Sequence, residues 1–440
     1  MRPFLLVLLA LVAVAEDRWF SGTLAGQPLA SLRLSDRTLA DGGQETTSEI
    51  LLVVRRSLPG RPELRLEVRE TGTVIEDAHG AITAWRFDRD ENGSIVTASG
   101  TITGRRILGT VARLGRTSPV TIDLPAGIEL VGDARSQKQL VAAKLAAGQT
   151  TTFSSLALLQ NEVRIVTSTA TARGGDGTSM LFDVLADAMP LPMRLRLDAN
   201  GDLLGMTMNL GIMALELKPA SGPVALLGAD LPPTGLVRAK GPSPRRDTSN
   251  RYRIPPGPAL PVNPFQIEHE GIVTALSEAA PAPLSGTWTA ATSQLELDDP
   301  ELRAWVAGIG SDAEQLRLAV RSHIDRKDLM KGDASALETF RTRQGDCTEH
   351  AALLCAALRI AGIPARIEVG LVYAPDYGGW VGHAWNQAYV GGRWVHLDSA
   401  YPGIPRSCYL GLGFADDGQA GASLLIQLNR FIGETVEVVP

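Results

Sequence analysis

A change of hydrophobic period partway along the chain constrains the fold more than any other feature. From about residue 18 to 228 apolar residues recur in twos: Leu64, Leu66 and Val68 interleave with charged neighbours, as do Met193, Leu195 and Leu197. That is the period of a strand with one face buried. The pairs Gly42-Gly43, Asn92-Gly93, Gly174-Gly175 and Asn200-Gly201 punctuate the runs, and such pairs supply the positive φ that tight hairpins need. Residues 16–228 therefore read as a mostly antiparallel β domain, with Ala134 to Leu145 as one helix over a sheet face. No internal repeat argues for a propeller or solenoid.

After about residue 298 the period becomes helical. Asp298-Asp299-Pro300 opens a helix through roughly Gly308, and Ser311-Asp312-Ala313-Glu314 has the form of a capping box for a second, carrying Leu316, Val320 and Ile324 on one face. Strand signals return from Ala365, so residues 298–440 read as an α+β domain, helices first. Between the halves, 229–250 is rich in Pro, Gly and Arg and reads as a linker, and 251–297 as a small β unit with strands near Arg251–Ile254 and Phe265–Ala275. The expected fold class is multi-domain.

Met1-Arg2, the apolar run Pro3 to Val12 and Ala13-Val14-Ala15 have the form of a cleavable export signal over residues 1–15. The run is shorter than the roughly 20 residues of a membrane-spanning helix, and no later stretch is apolar enough for one. The expectation is an exported protein, periplasmic or extracellular, with no transmembrane segment in the mature chain. Lys and Arg number 42 against 48 Asp and Glu, net charge −6, which argues against a nucleic-acid partner. The three cysteines, Cys347, Cys355 and Cys408, cannot all pair within the chain.

Chemistry concentrates around Cys347. Asp346 and Glu349 stand as an N-cap and its reciprocal partner, the Ala- and Leu-rich run from Ala351 forms helix strongly, and Gly362 with Pro364 closes it. Cys347 then lies in the first helical turn, where the free N–H groups and the positive dipole end favour thiolate and could face an oxyanion. Cys355, among Leu353, Leu354 and Leu358, reads as a core residue.

A base is offered by His383-Ala384-Trp385-Asn386-Gln387-Ala388-Tyr389-Val390, which turns at Gly391-Gly392 into Arg393-Trp394-Val395-His396-Leu397-Asp398. With a two-residue loop, 390 pairs with 393, and His383, Trp385, Gln387, Tyr389, Trp394, His396 and Asp398 share one face. That polar face is expected to line a cleft while the apolar face packs inward. Asp398 lies diagonal to His383, within side-chain reach, as an orienting carboxylate. His396 on the same face competes as the base, and His350, one turn along the Cys347 helix, is a weaker alternative.

The segments ALETFRTRQGDCTEHAALLCAALRIAGIPARIEVGLVY, GHAWNQAYV and RWVHLDSAYP resemble the bacterial transglutaminase-like proteins, whose core is related to papain-type cysteine peptidases. The resemblance spans roughly residues 295–410. It implies Cys347 as nucleophile, His383 as base and Asp398 as orienter, attacking a carboxamide and passing the acyl group to an amine or to water. Asn386-Gln387 stands where such proteins often carry an acidic residue, and Ser399-Ala400 replaces the commoner Pro-Thr. Gln344 is a candidate second oxyanion donor beside the Cys347 N–H, and Trp380 and Trp385 are candidates to cover the acyl chain. The stretch Tyr373 to Val381 is a candidate cleft wall.

No cofactor or metal is expected. Asp88 to Gly93 begins like a calcium loop, but Ser99 stands where a bidentate Glu is needed, and Asp198, Asn200 and Asp202 fail similarly. The expected partner is a protein or peptide substrate. The competing reading is a non-catalytic binding or scaffold protein of the cell envelope.

Overall fold

The computed structural model describes residues 17–439 apart from 25, 57–63, 160, 210–213, 227–228, 231–235, 247, 258, 285, 287, 328–333, 402, 416–419 and 432. The leader-like residues 1–15 lie outside the described residues. The chain divides into two compact units, 1–232 and 233–440.

The first unit is one 15-stranded sheet. Consecutive strands pair antiparallel from Arg18–Leu24 out to Arg116–Asp123, and Arg18–Leu24 also pairs with Ala214–Ala220, from which a second meander runs back to Thr150–Leu159. The short strand Ala229–Asp230 adds in parallel to Gln44–Arg56. Alternation puts Leu32, Leu34, Ile50, Leu52, Val68, Phe87, Met193, Leu195 and Leu197 in the core, and each buried aliphatic side chain contributes roughly 1.5–3 kcal/mol. At the Asp88–Gly93 run the strand Ile82–Glu91 turns into Ser94–Thr103 through Asn92 and Gly93, φ 46° and 87°. This is a hairpin turn of the I′ kind. The expected helix is present as Asp133–Ala142.

The second unit is built on a nine-stranded sheet. Its order is Gln266–His269, Ile272–Ala275, Asn250–Arg253, Thr435–Val439, Val237–Lys240, Gly379–Val390, Ala365–Ala374, Tyr409–Phe414, with Arg393–Leu397 also paired to Gly379–Val390. The expected strands near Arg251–Ile254 and Phe265–Ala275 form as Asn250–Arg253, Gln266–His269 and Ile272–Ala275, while Val237–Lys240 lies in the stretch that reads as a linker. Here those strands are hydrogen-bonded into the same sheet as Gly379–Val390. Four-residue strands paired across nearly two hundred positions leave no local period, so composition outweighed a pairing it could not register.

The helices follow their caps. Asp299 accepts from the N–H groups of Glu301 and Leu302 at the start of Pro300–Ile309. For Ala313–His323 the N-cap is Asp312, accepting from Gln315 N–H, one residue beyond the expected Ser311. Asp is as good a cap as Ser, and Leu316, Val320 and Ile324 are buried as expected of one face.

Candidate active site

Cys347 opens the helix Cys347–Ile360, and both halves of the capping box are formed. Asp346 Oδ1 accepts from Thr348 N–H at 2.9 Å, while Glu349 Oε2 accepts from Asp346 N–H at 2.9 Å. Glu349 Oε1 also takes Ala334 N–H at 3.1 Å, which fixes the incoming chain. Gly362, at φ 79°, ends the helix beside Ile363, whose N–H returns to Leu358 O.

The helix packs on the strand Gly379–Val390, where Asn386 Nδ2 donates to Ala351 O at 2.9 Å. One edge of that strand pairs with Val237–Arg238 at residues 379–380 and with Arg393–Leu397 at 386–390. Among the described strands nothing pairs with 381–385 on that edge. Within 381–385, Ala384 N–H donates to the sulfur of Cys347, which brings the thiol against the residue next to His383.

His383 is completely buried, and its Nε2 bonds Asp398 Oδ2 at 2.7 Å. The hairpin register is Val390 with Arg393 and Asn386 with Leu397, so Asp398 leaves the strand end diagonal to His383. Asp398 is fully engaged. Oδ1 accepts from the N–H groups of Ala400 (2.8 Å) and Tyr401 (2.9 Å), and Oδ2 also accepts from the Tyr409 hydroxyl at 2.8 Å. Among the described residues His383 Nδ1 has no hydrogen-bond partner. Tyr401, 41% exposed, stands edge-on to the His383 ring at 4.9 Å.

The electrostatics differ from the simple helix-end argument. Burial around its sulfur pushes the Cys347 thiol well above its usual range, and Asp346, Glu349 and Asp398 add to this; the Ala384 N–H opposes them. The half-charge at the helix terminus acts against desolvation and three carboxylates. Burial would also raise Asp398, but the His383 charge, its hydrogen bond and the Tyr401 N–H prevail and hold the carboxyl well below the usual range.

The polar face of the hairpin does not line an open cleft. Trp380 and Trp385 are 0% and 1% exposed, so neither is a surface for an acyl chain. Trp380 packs edge-on against Tyr252 and Tyr373. Trp385 stacks on His383, and its Nε1 donates to the buried Glu368 at 2.6 Å. The cause is the Tyr409 ring, carried by a strand of the same sheet, together with Phe265, which pack against Trp385 and His396 on this face, and Arg406 bonded to the buried Glu368. From the expected wall, Tyr377 alone among the large apolar or aromatic side chains is strongly exposed.

Gln344 pairs with Arg326 in a two-residue parallel ladder, three positions before Cys347. His396, the competing base, has no hydrogen-bond partner on either ring nitrogen among the described residues and lies against Phe265, Trp385 and Tyr409. Burial, then Arg406, drives its pKa down to about 3. His350 Nδ1 faces Ser399 Oγ at 3.3 Å. The three cysteines are free thiols, and Cys355 is buried as expected. Sequence reasoning missed Tyr401, Tyr409 and the Ala384 N–H. Asp398 followed by Ala400 and Tyr401 carries the spacing of an Asx turn and could have been read; Tyr409 has no local signal.

Residues 303–399 match the transglutaminase-like superfamily, a segment that contains Cys347, His383 and Asp398. No curated protein matches the sequence. Among solved structures, a β-barrel-like protein of a domain of unknown function, DUF1849, from Brucella abortus is 17% identical, covering 48% of this chain and 98% of its own, TM-score 0.36. A candidate cysteine protease from Cytophaga hutchinsonii is 15% identical over 40% of this chain and 82% of its own, TM-score 0.29. A DUF1089 family protein from Pseudomonas aeruginosa is 16% identical over 42% and 88%, TM-score 0.24.

Proposed function

We propose that this chain is an exported cysteine acyl-transfer enzyme that attacks protein or peptide carboxamides through Cys347, His383 and Asp398. The observation that carries the reading is the His383 ring. Its Nε2 is held by Asp398 at 2.7 Å, its Nδ1 is buried without a partner, and the neighbouring Ala384 N–H reaches the Cys347 sulfur. The superfamily match over 303–399 supports it.

In this reading the resting nucleophile is a thiol, because burial and three carboxylates disfavour the thiolate. Attack and deprotonation are then coupled: His383 Nδ1 takes the thiol proton as sulfur adds to the carbonyl carbon. The N–H of Cys347, with Gln344 as second donor, faces the oxyanion. Imidazolium protonates the departing amine, leaving a thioester on Cys347. A second amine, or water, gives its proton to His383 and attacks that thioester, restoring the thiol. Asp398 holds the ring and stabilises its charged form throughout.

The raised pKa of the half-buried Cys347 thiol favours a second reading, a binding or scaffold protein of the cell envelope in which the thiol no longer turns over. One experiment separates them. Mass spectrometry follows a glutamine-containing peptide incubated with residues 16–440, with and without a primary amine, for wild type and Cys347→Ala. Amine incorporation that needs Cys347 gives transamidation; cleavage or deamidation that needs it gives a hydrolase. No Cys347-dependent mass change across a panel of amide peptides favours the scaffold.

A further inference from the structure

We propose that Tyr409 is a positioning residue for the His383–Asp398 pair: its hydroxyl shares Asp398 Oδ2 with His383 Nε2 and so sets how much carboxylate charge the imidazole feels. The two bonds to this one oxygen are 2.8 Å from Tyr409 and 2.7 Å from His383. Oδ1 is already occupied by the N–H groups of Ala400 and Tyr401. The carboxylate therefore cannot rotate to offer His383 a different oxygen, and any change at Oδ2 is felt by the ring.

Tyr409 is built to keep its place. It is fully buried, it pairs with Val372, and its carbonyl accepts from Arg406 Nη1 at 3.1 Å. Arg406 Nη2 bonds Glu368, which also takes Trp385 Nε1 and Gln387 Nε2 at 2.6 Å each. The Tyr409 ring meets Trp385 and His396 edge-on at 5.0 and 4.6 Å. Its hydroxyl thus links this buried network directly to Asp398. Burial, with Asp398 beside it, keeps the phenol protonated and hence a donor. A donor on Oδ2 spreads the carboxylate charge; without it the imidazolium is held more tightly and becomes harder to deprotonate.

Among the described residues the charged and titratable groups around the pair are Cys347, Asp346, Tyr401, Tyr409, His396, Arg406, Glu368 and Arg317. His396 stays neutral until about pH 3, Cys347, Tyr401 and Tyr409 are pushed upward, and the two arginines are paired with Glu368 and Glu314.

The proposal rests on the acyl-transfer reading only for its consequence in turnover, so its test uses no substrate. In the full chain, the His383 ring nitrogens are titrated by NMR, assigned by their loss in His383→Gln, and Cys347 alkylation by iodoacetamide is followed against pH. Tyr409→Phe is expected to raise the His383 midpoint by about half a unit to one unit, ~3–10-fold in proton affinity, and to speed alkylation below pH 8. Site-specific 3-fluorotyrosine at 409, a stronger donor of nearly the same shape, is expected to lower the midpoint, and it decides the matter if Tyr409→Phe does not fold. An unmoved midpoint in the folded variants, or shifts of the same sign in both, overturns the proposal. Absence of any Cys347-dependent product from peptides would instead count against acyl transfer and leave these titrations standing.

Discussion

Asn386 Nδ2 donates to Ala351 O across 2.9 Å, joining the strand that carries His383 to the helix that carries Cys347. The amide is almost wholly enclosed, and among the described residues its Oδ1 has no partner. A neutral donor is therefore what the position holds. Asn386→Ala should cost about 1–2 kcal/mol by urea unfolding. Asn386→Asp should cost more, because a buried carboxylate would face a carbonyl with no donor to satisfy it. Equal midpoints for the two variants would count against this bond as the tie between strand and helix.

The Cys347 thiol, raised by burial, Asp346, Glu349 and Asp398, should react slowly with iodoacetamide at neutral pH. The rate should climb through pH 9 and beyond, and vanish in Cys347→Ala. The linkage has a definite sign. A folded pKa above the unfolded value means that the unfolded chain loses this proton first. The stability this site contributes is complete below about pH 9 and is lost as pH rises through the folded value. Alkylation already at its plateau at pH 7 would sink the assignment of a resting thiol.

Much of this architecture was legible because its signals are local. The Asp346/Glu349 box, the Gly362 stop and the Gly391-Gly392 turn each act within a few residues, and each forms. The antiparallel first half was legible for the same reason, since hairpins pair neighbours in sequence. What escaped depends on distant chain. The face bearing Trp385 and Gln387 read as a cleft because its residues are polar, yet it is closed by Tyr409 and Phe265 and satisfied by Glu368 and Arg406. Polarity along a strand does not distinguish solvent from a buried hydrogen-bonded network. At Cys347 the helix-end dipole meets opposing effects, desolvation by distant chain and the charges of Asp346, Glu349 and Asp398.

Asp398→Asn keeps an oxygen for the N–H groups of Ala400 and Tyr401 but places an amide between His383 Nε2 and the Tyr409 hydroxyl. If acyl transfer operates, Cys347-dependent turnover should fall by roughly 10²–10⁴ with the fold retained, as expected when a base loses its orienting charge. Circular dichroism and product mass spectrometry together check this. The Asp398 carboxyl is held below its usual range, so its contribution to stability is present above about pH 4 and lost as pH falls through the lower folded value. The variant should therefore lose part of the wild-type acid sensitivity in that window.

His396 separates the two candidate bases. Its ring lies among Phe265, Trp385 and Tyr409, and its folded pKa of about 3 lies far below that of an unfolded histidine. Between about pH 6.5 and pH 3 the unfolded chain binds a proton there that the folded chain does not. Stability should therefore decline as pH falls across that window, by up to about 1.4 kcal/mol per unit from this group. His396→Phe places an aromatic ring in an aromatic surround and removes the titration. Urea midpoints measured from pH 7 to pH 4 should fall less steeply in the variant than in wild type. Turnover at pH 7, where any is found, should persist in His396→Phe and disappear in His383→Gln. Loss of turnover in a folded His396→Phe would move the base to His396 and overturn the assignment made from the His383–Asp398 bond.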